Sequence, residues 1–313
     1  MVSFRKHLYF ITGLITGCTS VMAQIEETLV HDNYTRHWIT YLPKHYNKDR
    51  QYPLVISLHG GGGQASQLMK NTRHRFNKLA DEEGFIVVYP NGLKKSWNDN
   101  NKRDTHGFAR KENIDDVGFI EKMIAHLEAS YPIHPKAIFA CGISNGGLMS
   151  QTLAMALPHK IRAIGMVASN FGRDQIEMSK EVTPFSVLFI HGTADPIFPY
   201  AEGDIQVFNT TRGHVLGIEK SLAYMNARNG NDVNPVKTSI ANTVLKDNCT
   251  SEHLKYLNPE HPNLKVELIK IHNGGHTWPG AKTKRVLSKL VGPTTQDFNA
   301  CDKLWAFFKS TLD

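Results

Sequence analysis

Residues 137–147 read Ala-Ile-Phe-Ala-Cys-Gly-Ile-Ser-Asn-Gly-Gly, and this stretch decides the fold. An apolar run stops at Gly142, Ser144 follows two residues later, and Gly146-Gly147 lead into Leu148-Met149. The pattern is G-x-S-x-G, which lifts a serine hydroxyl on a tight turn between a strand and a helix. A serine hydroxyl is a weak nucleophile until it stands clear of the backbone within reach of a base. Such a turn is strained, and flanking glycines give it room. G-x-S-x-G alone also arises by chance in loops. Here a strand-like run precedes it and the helical run Leu148 to Leu157 follows, so Ser144 is the candidate nucleophile.

The elements around it extend the argument. Arg36 to Leu42 reads as a strand closed by Pro43, and Pro53 to Leu58 as a second, apolar throughout and suited to burial on both faces. The second ends at His59 and the glycines 60–63. One helix is expected next, with Leu68, Thr72, Phe76, Leu79 and Ala80 on one side and Gly84 as its stop. Phe85 to Tyr89 is another buried strand. The polar stretch Asn91 to Asn113 is a long loop, of the kind that more often carries function. Asp115 and Asp116 open a helix, where acidic residues cap free amides and suit the dipole. Strands follow at Ile164 to Ala168 and Phe185 to Ile190, a helix at Ile218 to Ala227, and an irregular stretch over 229–262. A strand at Leu264 to Ile271 precedes a last helix that aligns Cys301, Leu304, Trp305 and Phe308, with Phe298 on the same face. Buried strands alternating with amphipathic helices specify an α/β fold, a mostly parallel sheet covered on both faces. No linker divides it and no stretch is large enough for a cap domain, so residues 24–313 are expected to form one domain, its core beginning near Thr28.

The first 23 residues read as an export leader. Arg5, Lys6 and His7 precede an apolar run from Leu8 to Ile15, and Val21-Met22-Ala23 offers cleavage before Gln24. Ile15-Thr16-Gly17-Cys18 also resembles a lipoprotein signal that would lipidate Cys18. Both readings export the chain, and plain secretion is the first expectation. Beyond the leader no apolar run reaches the length of a membrane span. The net charge of +7 is spread thinly, densest at Lys282, Lys284 and Arg285, and no nucleic-acid-binding signature accompanies it. Cys141 reads as a small buried hydrophobe, Cys249 and Cys301 can pair in an oxidising compartment, and no cysteine spacing indicates a metal.

Functional groups of an open parallel sheet gather at the carboxyl ends of its strands. Asp195 follows one buried strand and His276 the last one. The chain order Ser, Asp, His is that of the α/β-hydrolase arrangement. In this reading His276 is the base for Ser144, and Asp195 holds the imidazole in its tautomer. The amide of Asn145 and one from Gly61 or Gly62 supply the oxyanion hole. His191 and His272 are rival bases, one before the loop turn and the other inside the strand. The glycine run lacks the Lys-Ser/Thr pair of a phosphate loop, and no G-x-G-x-x-G is present.

Six stretches carry a family resemblance: LHGGGG (58–63), SWND (96–99), DDVGFI (115–120), GISNGG (142–147), HGTADP (191–196) and GGHTWPG (274–280). Together the sequence resembles secreted poly(3-hydroxybutyrate) depolymerases and feruloyl or acetylxylan esterases. The resemblance implies an α/β-hydrolase fold, a carboxylic-ester substrate, no cofactor or metal, and catalytic Ser144, Asp195 and His276. It also implies Trp97 and Trp278 near the substrate, and His59 is placed there with them. Many relatives carry a cysteine in the loop matching Gly61-Gly62, and this chain has none. No surface-binding module follows the last helix, which favours soluble esters or oligomers over crystalline polymer. A short-chain carboxylesterase is the alternative, and a peptidase or an inactive exported binding protein are the more distant ones.

Overall fold

The structure is a computed structural model and describes residues 24–100, 106–178, 183–282 and 285–312. The expected leader, Cys18 included, lies outside the described residues. In chain order the strands are β1 (Gln24–His31), β2 (Tyr34–Tyr41), β3 (Tyr52–Leu58), β4 (Ile86–Pro90), β5 (Ile133–Ile143), β6 (Ala163–Val167), β7 (Ser186–Gly192), β8 (Gly203–Val207), β9 (Thr210–Val215), β10 (Val236–Ile240), β11 (Thr250–Tyr256) and β12 (Val266–His272). Ten of them form one sheet in the order β1-β2-β4-β3-β5-β6-β7-β12-β11-β10. The six from β4 to β12 run parallel, and antiparallel strands extend both edges. The structure is therefore an α/β fold with a mostly parallel sheet, as the alternation of elements requires.

Side chains on successive strand residues point to opposite faces, so an apolar run feeds two cores. On one face Leu54, Ile56, Ile138, Val187 and Phe189 pack against the helices α4 (Asp116–Ser130), α5 (Asn145–Ala156) and α7 (Ile218–Asn229). On the other Val55, Phe139, Leu188 and Ile190 pack against α1 (Ala65–Asn71), α2 (Arg75–Glu83) and α9 (Ala300–Ser310). Three shorter helices complete the set: α3 (Phe108–Lys111), α6 (Arg173–Met178) and α8 (Arg285–Val291). Each buried Val, Leu, Ile or Phe is worth about 1.5–3 kcal/mol, so these faces fix the sheet centre that carries the site.

Several expectations need correction. The single helix of residues 68–80 is two helices, broken where Thr72 turns its hydroxyl back to the Leu68 and Met69 carbonyls and Arg73 and His74 adopt positive φ. Gly84 does end the second, in the left-handed conformation. The sheet opens with β1 at Gln24, and the first buried apolar residue, Leu29, lies beside Thr28 as expected. The stretch 229–262 contains the edge strand β10 and its neighbour β11. Residues 203–215 form a hairpin, β8–β9, beside the sheet. Cys249 and Cys301 are free buried thiols and do not pair.

Candidate active site

The elbow is built by the close approach of two chain segments. Ser144 sits at φ 58° and ψ −124°, a backbone state that non-glycine residues seldom adopt. Its amide donates to the Val167 carbonyl at 3.0 Å, and its own carbonyl accepts from Gly147 and Leu148 to start α5. A Cβ at position 146 would stand 2.5 Å from the Leu58 oxygen and 2.6 Å from the His59 oxygen, so only glycine lets β3 run past this turn.

The two residues expected to act with Ser144 come from the ends of β7 and β12. The Nδ1 of His276 is 2.9 Å from Asp195 Oδ2, and the Asp195 side chain is fully buried. Asp195 Oδ1 accepts from the amides of Ile197 and Phe198, both at 2.8 Å. Burial would raise this carboxyl, but the His276 imidazole and the Ile197 amide outweigh it and hold the pKa below the ordinary 3.8. The carboxylate is therefore ionised at neutral pH and sets the tautomer of His276. The Phe198 ring stacks on the imidazole at 5.5 Å between centroids. The His276 amide donates to Val291 O, and position 275 must be glycine because a Cβ there would run into that same carbonyl.

Ser144 and His276 line the same two cavities. The smaller, about 220 Å³, is walled by Gly60, Gly61, Gln64, Gln67 and Asn71 among others. The larger, about 430 Å³, reaches from Gly61 and Asn145 to the β8–β9 hairpin. The structure thus brings together all three residues expected to act. His191 does not compete as a base. Its side chain is fully buried, its Nε2 lies 2.9 Å from Phe198 O and its Nδ1 3.3 Å from Ser169 O. His272 points elsewhere and pairs with Glu252 at 3.1 Å.

The residues expected to donate to an oxyanion divide. Asn145 is the first residue of α5, so its amide has no partner within the helix. Gly61 lines both cavities with Ser144. Gly62 does not serve, because its amide donates to Lys95 O at 2.8 Å. Of the three residues expected near the substrate, His59 alone lines a cavity at Ser144. Trp97 is fully buried, and its indole donates to His59 O at 2.9 Å. Trp278 is buried in the second core against Phe76 and lines neither cavity at Ser144. His59 edges the smaller cavity, but its Nε2 accepts from the Gly92 amide and its Nδ1 meets Gly60 O. Burial lowers its pKa to about 4, so the ring is neutral and ties the glycine loop to the strand-β4 loop.

A clamp behind the serine escaped the sequence reading. The Asn145 side chain accepts from the Trp97 amide and donates to Trp97 O and to Asp99 Oδ2, at 2.9, 3.1 and 2.7 Å. Asp99 also binds Arg110, and its carbonyl accepts from Thr152 and Gln175. Asp115 caps α4 by accepting from Gly118, as expected, but Asp116 has a different role. It is buried against Arg36 and accepts from the Asn98 amide, which fixes the 96–99 loop. Motif SWND was legible; its role as the brace of Asn145 was not.

The Esterase family model matches residues 33–180. The chain is 26% identical over 262 residues to "Putative esterase NocK" of Nocardia uniformis subsp. tsuyamanensis, covering 80% of this chain and 72% of that one. It is 30% identical over 183 residues to "Probable feruloyl esterase C" of Aspergillus terreus, covering 56% of this chain and 60% of that one. Residues 33–180, just under half of the chain, match the esterase family, and the relatives that the chain resembles are named esterases. The chain is a carboxylic ester hydrolase. For the fold, this esterase superposes on the acetyl xylan esterase from Aspergillus awamori with a TM-score of 0.58 at 14% identity, over 88% of this chain and 94% of that one. No helix among the described residues is long and apolar enough to cross a membrane.

Proposed function

We propose that this esterase cleaves its substrate through an acyl-enzyme at Ser144, with His276 as general base and acid and Asp195 as its anchor. The observation that supports it most is the pairing of a strained serine and an Asp-bound imidazole on shared cavities. His276 Nε2 takes the hydroxyl proton as Ser144 Oγ attacks the acyl carbon. The oxyanion that forms is held by the amides of Asn145 and Gly61. Collapse expels the alcohol, which receives the proton from His276, and water then repeats the sequence on the acyl-enzyme. Because Asp195 is ionised, it stabilises the transient imidazolium without taking its proton.

The substrate class follows the relatives' names: a feruloyl or acetylated ester, with short hydroxyalkanoate oligomers as the second class suggested by the GHTWPG and DDVGFI motifs. Residues 24–313 act as one catalytic unit, a reading supported by the single sheet that runs through it. The leader sequence supports export, by secretion or by a lipid on Cys18. Turnover of a p-nitrophenyl ester by Ser144→Ala tests the mechanism. The rate is expected to fall by a factor on the order of 10⁴ or more, with the circular dichroism spectrum unchanged. A folded variant that keeps the wild-type rate refutes it. A panel of methyl ferulate, acetylated xylan and a hydroxybutyrate oligomer then ranks the acyl groups.

A further inference from the structure

The two cavities at Ser144 differ in charge. Gln64, Gln67 and Asn71 give the smaller one neutral amide groups, and no Lys, Arg, Asp or Glu is among its lining residues. The larger one, whose volume falls in the small-molecule range of roughly 300–1,000 Å³, has a mixed lining. Ile197, Phe198, Ile205, Val207 and Val291 are its apolar part. Lys94, Lys95, Arg110 and Arg212 bring positive charge, Arg212 from the same hairpin as Ile205 and Val207, and among the described lining residues there is no Asp or Glu. Arg110 is bound to Asp99. Lys94, Lys95 and Arg212 make no ion pair among the described residues, and the Nε of half-buried Arg212 is sealed from solvent without a hydrogen-bond partner. Like charges around one concavity repel while its low-dielectric walls focus their field inward, and an anion inside the cavity would relieve that repulsion.

We propose that this cavity selects esters that carry a carboxylate, with Arg212 as the specificity-determining residue that receives it. A guanidinium presents forked donors that match the two oxygens of a carboxylate, and Lys94 and Lys95 add unpaired charge beside it. The apolar part of the lining takes the carbon chain between the acid and the ester, as in a half-ester of a medium-length dicarboxylic acid. The proposal rests on Ser144 as the reacting residue, since that places the cavity at the scissile bond.

Two matched pairs test it, one for each side of the ester. p-Nitrophenyl hydrogen adipate is compared with its methyl ester, and the hexanoate of 4-hydroxyphenylacetic acid with its methyl ester. In one pair the acid should exceed the neutral ester in kcat/KM by about tenfold or more at low salt, through a lower KM, and the ratio should shrink as salt screens the charge. Arg212→Gln should bring that ratio close to one, and Arg212→Glu should invert it. Lys94→Gln with Lys95→Gln should lower it in part. Independently of turnover, Ser144→Ala should bind monomethyl adipate more tightly than dimethyl adipate by calorimetry. Equal rates within both pairs, a ratio unmoved by Arg212→Glu, or equal binding of the two adipates would each overturn the proposal. A failure of the Ser144 assignment shows separately, as turnover by Ser144→Ala.

Discussion

Two imidazoles approach Asp195, and they contrast the group proposed to react with a group that holds. His276 arrives on the loop after β12, lies 2.9 Å from Oδ2 and lines both cavities. His191 arrives at the end of β7 and lies 3.6 Å from the same oxygen, enclosed on all sides. Each is one residue type at a strand's carboxyl end, beside one carboxylate. The difference is what the far nitrogen meets. For His191 it is a backbone carbonyl on either side, and burial first, then proximity to His276, lowers its pKa from 6.5 despite Asp195. The ring is held neutral and braces the 195–198 turn. For His276 the nitrogen not bound to Asp195 has no hydrogen-bond partner among the described residues, and the residue lines both cavities, as the proposed base requires.

The largest expected effect comes from exchanging these roles by mutation. His276→Gln should lower kcat/KM by a factor on the order of 10⁴ while leaving the urea midpoint nearly in place. His191→Ala should do the reverse. It removes a fully buried ring with two polar contacts, so stability should fall by about 3 kcal/mol, with the folded fraction turning over within about tenfold of wild type. Urea titrations and rates measured on the same samples separate the two. A His191 variant that stays stable but loses turnover would make both rings part of the chemistry and end the distinction.

A third imidazole sharpens it through pH. His59 is also a holding group, with a pKa lowered to about 4 by burial, against 6.5 for a free imidazole. The unfolded chain therefore takes up this proton first as pH falls. The contribution of neutral His59 is complete above pH 6.5 and is lost progressively between 6.5 and about 4, by an amount on the order of 3 kcal/mol. Chemical denaturation at stepped pH should show that slope, and His59→Gln should flatten it. A slope unchanged in the variant would assign the acid sensitivity to other groups.

These three rings also mark how far the sequence could be read. Ser144, Asp195 and His276 were legible because each follows a buried strand, and the carboxyl ends of parallel strands must converge. The elbow was legible because its constraint is local: glycines around a raised serine. Roles set by distant partners were not. Gly62 looks like an oxyanion donor until Lys95 O, 33 positions away, is seen to occupy its amide. Trp97 and His59 sit in motif stretches, but each turns inward onto the other's backbone or ring, 4.9 Å apart between centroids. The edge strand β10 has four exposed residues of five, so no apolar period betrays it. The cationic part of the cavity lining joins Lys94 and Lys95 to Arg212, more than a hundred residues on, and a thinly spread basic composition conceals such a cluster.

The smallest effect belongs to His272, the remaining rival. It ends β12 four residues before His276, exposed, with Glu252 of β11 at 3.1 Å. An exposed ion pair of this kind is worth about 0–1 kcal/mol, because water screens both partners and ordering two side chains costs entropy. His272→Ala should therefore change neither kcat/KM beyond about twofold nor stability beyond about 0.5 kcal/mol. The variant still matters to the comparison with His191 and His276, because it removes an imidazole from the same strand end without touching Asp195. A large loss of turnover here would mean that position along the strand, and not contact with the carboxylate, selects the base.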